Sequence, residues 1–222
     1  MQERNDLPLG SLVLVPGIIT LAVTLLRLVG ELLHWSPTFF SREAGGKGAI
    51  VGIVWLVFVF GVYFALKLLR LGHGPASMGQ AIGMPLLALL VLPLSVVASM
   101  KIDFPLRIAV FGVGSIVGLL VAFRGWPALA RTLVAYGLAA RLPVALIMLV
   151  AIFGNWGTHY ELGAPGFPEM APLPKWFWIG LLPQMTLWMA FTVIMGSFVG
   201  GLTALAAGRR VQAATSGASA AR

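Results

Sequence analysis

Six stretches of the chain run for about 20 residues with few charged side chains, the length of helix that crosses the hydrocarbon core of a bilayer. They extend from about Leu9 to Trp35, Ala49 to Leu71, Ala81 to Met100, Leu106 to Phe123, Leu133 to Trp156, and Lys175 to Gly208. The pattern predicts an all-α, polytopic integral membrane protein: one bundle of six transmembrane helices over residues 1–208. The closing stretch, "RRVQAATSGASAAR" over 209–222, is small, polar and aperiodic, and is expected to form a disordered cytoplasmic tail. The first run is too long for a signal peptide, carries Arg27 and Glu31, and lacks a small-x-small cleavage site. The two halves share no aligned motif, so the pattern shows no internal repeat.

Punctuation within the runs refines this. Pro85 and Pro93 in the third run, and Pro183 in the sixth, remove helix donors and are expected to kink or interrupt their helices. The third helix is therefore expected to be irregular, and irregular backbone at membrane depth must be buried in protein or line a wet cavity. "GSIVG" (Gly114 to Gly118) and "GSFVG" (Gly196 to Gly200) are small-xxx-small patterns that let helix backbones approach closely. They serve either helix contacts within the chain or a homo-oligomer through Gly114/Gly118 and Gly196/Gly200.

Composition supports lipid as the solvent. Of 222 residues, 59% are hydrophobic and only 10% charged, with a mean hydropathy of +0.96; soluble domains carry about 25% charged residues. With no cysteine there is no disulfide framework and no thiolate chemistry. The net charge of +8 comes from bases scattered near the ends of the apolar runs, a pattern of membrane orientation and not of nucleic-acid binding. With the N-terminus in the cytoplasm, eight bases fall inside (Arg4, Lys67, Arg70, Arg124, Arg131, Arg209, Arg210, Arg222) and five outside (Arg42, Lys47, Lys101, Arg107, Lys175). Both termini are thus placed in the cytoplasm and the 157–174 connection outside. Trp35, Trp156, Trp176 and Trp178 then lie at outer ends and Trp126 at an inner end, as an interfacial belt.

Polar chemistry is concentrated at few places. In "LLRLVGELLHW", Arg27, Glu31 and His34 stand at i, i+4 and i+7 and share a helix face. A lone charge at the bilayer centre costs about 2.5 to 3.5 kcal/mol on insertion scales, so such residues are functional candidates by default. Either Arg27 and Glu31 pair and fix packing, or they line a cavity that binds an ion, a proton or a polar group. Arg141, in "LAARLPVAL", falls about 15 Å deep if its helix starts near Arg131. It either takes Glu31 or carbonyls freed by Pro143 as acceptors, or snorkels to the inner face. Gln184 and Thr186 lie beside the break at Pro183 and are expected to satisfy backbone groups freed there.

The outer connection, "FGNWGTHYELGAPGFPEM", holds His159, Glu161 and Glu169. In the threading above it brings His159 and Glu161 to the same side as Glu31 and His34. His-x-Glu matches no metal motif, and no helix carries paired histidines for zinc or haem; neither a metal nor a cofactor is expected. Phosphate-loop, nucleophile-elbow and Ser-His-Asp patterns are also lacking. The candidate ligand- or ion-binding residues are Arg27, Glu31, His34, Arg141, His159 and Glu161. Three functions remain open: a small transport or permease-type protein with a polar site near the outer face; a non-catalytic subunit docking other membrane subunits through its outer loop and glycine faces; and an enzyme acting on a lipid-type substrate at the outer surface. In each, the lipid bilayer is the partner and nucleic acid is not.

Overall fold

A computed structural model describes residues 7–46, 48–163 and 167–220, with side chains as far as residue 208. Among these the chain is helical and has no strand. We number the long helices α1 (Leu9–Leu32), α2 (Leu56–Arg70), α3 (Met78–Ser99), α4 (Leu106–Phe123) and α5 (Pro127–Gly154). The sixth, α6 (Pro172–Gly208), is interrupted near its start. Single 3-10 turns stand at Ala44–Gly46 and His159–Glu161.

Five helices, all but α2, are long and apolar enough to cross a membrane. Their outward faces are coated with large apolar side chains, among them Leu14, Ile18, Leu90, Leu94, Val97, Val113 and Leu146. A coat of this extent fits hydrocarbon and not water as its solvent. The expected second spanning helix is shortened. At 15 residues, α2 is about 22 Å long, short of a core of about 30 Å. The apolar residues before it form turns and bends, with Gly48 at φ +77°. There Ile50 and Val51 turn their backbone N–H groups to the carbonyls of Thr38 and Phe39 at 3.2 and 3.1 Å, and Arg27 Nη2 of α1 donates to the carbonyls of Ser41 and Gly46 at 3.3 Å each.

The arm of α6 beyond Leu187 is the centre of the bundle and packs against α2, α3, α4 and α5, while α1 lies on α5 and α3 pairs with α4. The core between them holds Phe60, Phe64, Leu129, Leu133, Tyr136, Val193 and Ile194. All four glycines of the two small-xxx-small patterns are buried in these contacts. Gly114 faces Ser95 of α3, Gly118 faces Ile194, Gly196 faces Leu133, and Gly200 faces Leu129. Their close approaches are made within the chain.

Two expectations about helix continuity come out differently. α3 stays helical through Pro85 and Pro93. The Ala81 carbonyl, which Pro85 cannot bond, lies against the backbone of Gly201, where a Cβ would stand 2.5 Å from it. In α6 the interruption occurs as expected: Pro172–Lys175, a π-helical turn Trp176–Leu181, and Leu182–Met185 precede a break at Thr186, whose φ and ψ are −110° and −78°. Beyond Gly208 the backbone continues as helix to Ala220. Extending a formed helix through alanine-rich sequence needs no new nucleus; the side chains there lie outside the described residues. Trp126 is also not a belt residue. It is 1% exposed, and its indole donates to the His73 carbonyl at 2.8 Å.

Gly201→Ala is expected to lower the thermal midpoint of the detergent-solubilised protein, because overpacking against a fixed carbonyl costs about 1–3 kcal/mol. Gly83→Ala, with nothing within 4 Å of the added methyl, is the control and should leave the midpoint unchanged or raised.

Candidate functional site

The site begins as a polar stripe on α1. Thr20, Thr24, Arg27 and Glu31 follow one another at three- and four-residue steps and fall on one helix face. All face inward: Thr20, Thr24 and Glu31 are buried and Arg27 nearly so. The threonine hydroxyls each donate to the carbonyl one turn back, Thr20 to Pro16 at 2.8 Å and Thr24 to Thr20 at 2.9 Å. Thr20 also meets the Tyr136 hydroxyl of α5 at 2.9 Å. These bonds need no partner beyond the helices themselves, whereas the two charges need more.

Glu31 is 1% exposed, and its carboxylate is fully engaged. Arg27 Nε donates to Oε1 at 2.8 Å. The His159 backbone N–H donates to Oε2 at 2.9 Å, and His159 Nδ1 lies 2.8 Å from the same oxygen. A buried carboxylate in this state is stable only while every donor stays; removing one partner of a buried ion pair costs about 3–5 kcal/mol. Glu31 therefore fixes the connection after α5 to the end of α1.

A second carboxylate completes that connection. α5 ends at Asn155 in the left-handed conformation, φ +47°, and the next three backbone N–H groups turn toward Glu161. They belong to Trp156 (2.8 Å), Gly157 and Thr158 (3.1 Å). Four successive backbone N–H groups thus meet two carboxylates, Glu161 for 156–158 and Glu31 for 159. Glu161 shapes the loop; its oxygens are taken by the backbone and are not directed at a ligand.

His159 and Tyr160 sit at the top of the site, their rings 4.0 Å apart. Burial holds the His159 imidazole below its ordinary range, and the nearby Arg27 charge adds to this, against the opposing pull of Glu31. Burial pushes the Tyr160 phenol up. The expected sharing of a face by His34 does not occur. α1 ends at Leu32, and His34 lies beyond it at φ +55°, exposed, with Nε2 2.7 Å from Arg42 Nη1.

Arg141 is held deep in the bundle, 3% exposed. Its acceptor is neither Glu31 nor a carbonyl freed by Pro143. Nη2 donates to Thr192 Oγ1 at a long 3.4 Å, and the guanidinium lies 5.2 Å from the centre of the Trp188 ring. Nε has no partner. Among the described residues no carboxylate pairs with it, since the ion pairs both belong to Glu31. Gln184, 7% exposed, has the same character: its Oε1 has no partner, and its Nε2 meets only Met148 Sδ at 3.9 Å. Thr186 donates to the Leu182 carbonyl at 2.7 Å, but its own backbone N–H already bonds that carbonyl at 3.0 Å, so the bond does not answer to Pro183.

These groups surround one cavity of about 150 Å³. Its wall includes Arg27, Arg141, His159, Tyr160, Gln184 and Trp188, with Ile53, Val144, Met148 and Ile179 between them. Gly45, Val54 and Leu162 at its rim are exposed, so the cavity opens at the end of the bundle that carries the His159 connection. The shortened α2 makes this wall possible: Gly45, Gly52, Ile53 and Val54 line it from outside any long helix, and a Cβ on Gly52 would stand 3.1 Å from Arg27 Nη1.

Of the six residues singled out from the sequence, the structure brings Arg27, Glu31 and His159 into contact and sets Arg141 in the same cavity wall. It assigns Glu161 to the loop and leaves His34 outside. Thr24, Tyr160 and Trp188 line the site without having been singled out. Spacing carries the signal for two of them: Thr24 continues the Arg27–Glu31 face, and Trp188 stands four residues from Gln184 and from Thr192. Among the described residues no three His, Asp or Glu side chains converge as metal ligands. Comparison with known protein families, with characterised proteins and with solved structures finds no match to this chain.

Because His159 binds a proton less readily folded than unfolded, its contribution to stability is complete above the ordinary histidine value of about 6.5 and is lost as pH falls through the lower folded value. The thermal midpoint of the wild type should therefore drop more between about pH 7 and about pH 5 than that of His159→Asn. Parallel pH profiles would contradict this.

Proposed function

We propose that the chain is a multi-pass membrane protein of permease type, with a polar solute site near the outer face. In this reading α2 and the unwound residues before it form the sixth pass, both termini are cytoplasmic, and the 157–174 connection lies outside. One observation carries it: a cavity walled by Arg27, Arg141 and His159, with exposed residues at its rim and with two residues of its wall, Arg141 and Gln184, each holding a buried polar atom without a partner. Buried polar groups are almost always bonded to protein or water. Of the four buried side-chain atoms without a partner among the described residues, Thr158 Oγ1 and Ser197 Oγ lie on residues that do not line the cavity, while Arg141 Nε and Gln184 Oε1 belong to two residues of its wall. Interruption of α6 beside Gln184 supports the same reading, because broken helices in membranes line binding cavities.

A second reading, a non-catalytic membrane subunit, is favoured by Glu31 itself. Its pairing with Arg27 and His159 is internal and complete, as a purely structural cluster would be. The unpartnered Nε of Arg141 supports the first reading.

The chain has no cysteine, so single cysteines report without background. In intact cells Gly163→Cys should label with a membrane-impermeant thiol reagent and Ser216→Cys should not; the reverse ends the topology. In stopped-flow swelling of proteoliposomes with glycerol, chloride and L-lactate as separate solutes, at least one should enter faster than into empty vesicles. Thiol modification of Val54→Cys at the rim should slow that entry. Rates equal to empty vesicles for all three would end the permease reading.

A further inference from the structure

The cavity has an unbalanced charge. Arg27 is neutralised by Glu31 at 2.8 Å, and His159 is held toward its neutral form. Arg141, on the opposite wall, has no carboxylate among the described residues. Its guanidinium lies over the Trp188 ring at 5.2 Å from the ring centre, its Nη2 meets Thr192, and its Nε has no partner. A fixed guanidinium offers parallel N–H donors that match the two oxygens of a carboxylate. One negative charge balances Arg141; a dianion would leave the cavity with an excess of one.

The remaining walls narrow the ligand further. Gln184 Oε1 is a buried acceptor in need of a donor, so the ligand carries a hydroxyl or an amine besides its carboxylate. Gln184, Trp188 and Thr192 follow at four-residue steps along α6, and Arg141, Val144 and Met148 at three- and four-residue steps along α5. Gln184 and Trp188, on either side of the break at Thr186, face Arg141, Val144 and Met148 of α5 across the cavity. Ile53, Val144, Met148 and Ile179 suit a short alkyl portion. A volume of about 150 Å³ is the size of an engineered cavity that holds benzene, about six heavy atoms.

We propose that this cavity binds a small monocarboxylate bearing a hydrogen-bond donor, a short hydroxy acid, with its carboxylate on Arg141 and its hydroxyl on Gln184. The proposal rests on the reading of the cavity as a solute site and names the solute class. Arg141 is the charge anchor, Gln184 distinguishes the hydroxy acid from its plain counterpart, and Trp188 keeps the guanidinium plane in position.

The test uses the full chain in detergent or nanodiscs, with L-lactate as the probe and propionate, phosphate and chloride at equal ionic strength as comparisons. L-lactate should bind saturably by calorimetry and raise the thermal midpoint. Propionate should bind about tenfold more weakly, the loss associated with one hydrogen bond to a buried acceptor, and phosphate and chloride should have no saturable effect. Arg141→Gln should abolish L-lactate binding. Should that variant fail to fold, Gln184→Leu serves instead: it should bring L-lactate and propionate to equal affinity. Lack of L-lactate binding by the wild type, equal response to phosphate or chloride, or retained binding in Arg141→Gln overturns the proposal. L-lactate binding without entry into proteoliposomes upholds the site and removes the permease reading. Entry of glycerol alone, with no carboxylate binding, upholds the permease reading and removes the proposed ligand.

Discussion

Charge balance inside an apolar bundle governs this structure. Three charged groups of the long helices enter the interior, Arg27, Glu31 and Arg141, two positive and one negative, beside the buried Glu161 of the connection after α5, whose oxygens accept from the 156–158 amides. In a medium of low dielectric constant each must find a partner or be held where water or a ligand supplies one. Glu31 is given to Arg27, which stands one turn away on α1 and bonds it at 2.8 Å. Arg141 is then left on the far wall of the same cavity with a threonine and an indole as company.

Much of the irregular backbone answers to this balance. Arg27 needs more acceptors than Glu31 offers, and the carbonyls of Ser41 and Gly46 are free to serve because the chain there is not helical. The same turns keep α2 short and form part of the cavity wall. Glu31 needs more donors than Arg27 offers, and the connection after α5 supplies the His159 backbone and ring. Glu161 holds the preceding three amides so that His159 arrives in place. The concentration of polar residues in an otherwise apolar chain is thus a consequence of two buried carboxylates being satisfied at one end of the bundle.

The all-helical class and the positions of the long helices are legible in hydropathy alone, because an apolar run of about 20 residues has few other uses. The contact between Arg27 and Glu31 is legible from their four-residue spacing. The partner of Glu31 across the bundle is not: His159 stands 128 residues away, and the sequence places both only at one end. The shortening of α2 is hidden because Ile50 to Trp55 read as apolar helix, whereas the Ile50 and Val51 amides bond the Thr38 and Phe39 carbonyls. The roles of Glu161 and His34 also depend on where helices stop. Asn155 ends α5 in a left-handed turn that aims amides at Glu161, and α1 stops before His34 can join the Arg27 face. Arg141 is visible as an intramembrane charge, but its lack of a carboxylate partner is a property of the packed bundle.

The central claim is that Arg141 is a buried cation awaiting an anion, and Thr192 is the residue through which it is tested most directly. Thr192 Oγ1 already lies 3.4 Å from the guanidinium, so Thr192→Asp places a carboxylate within reach of it. The measurement is the thermal midpoint of ligand-free Thr192→Asp against the wild type, each with and without added L-lactate. The account predicts a higher ligand-free midpoint in the variant and no further rise on adding L-lactate. A lower ligand-free midpoint, with an L-lactate response equal to that of the wild type, would contradict it.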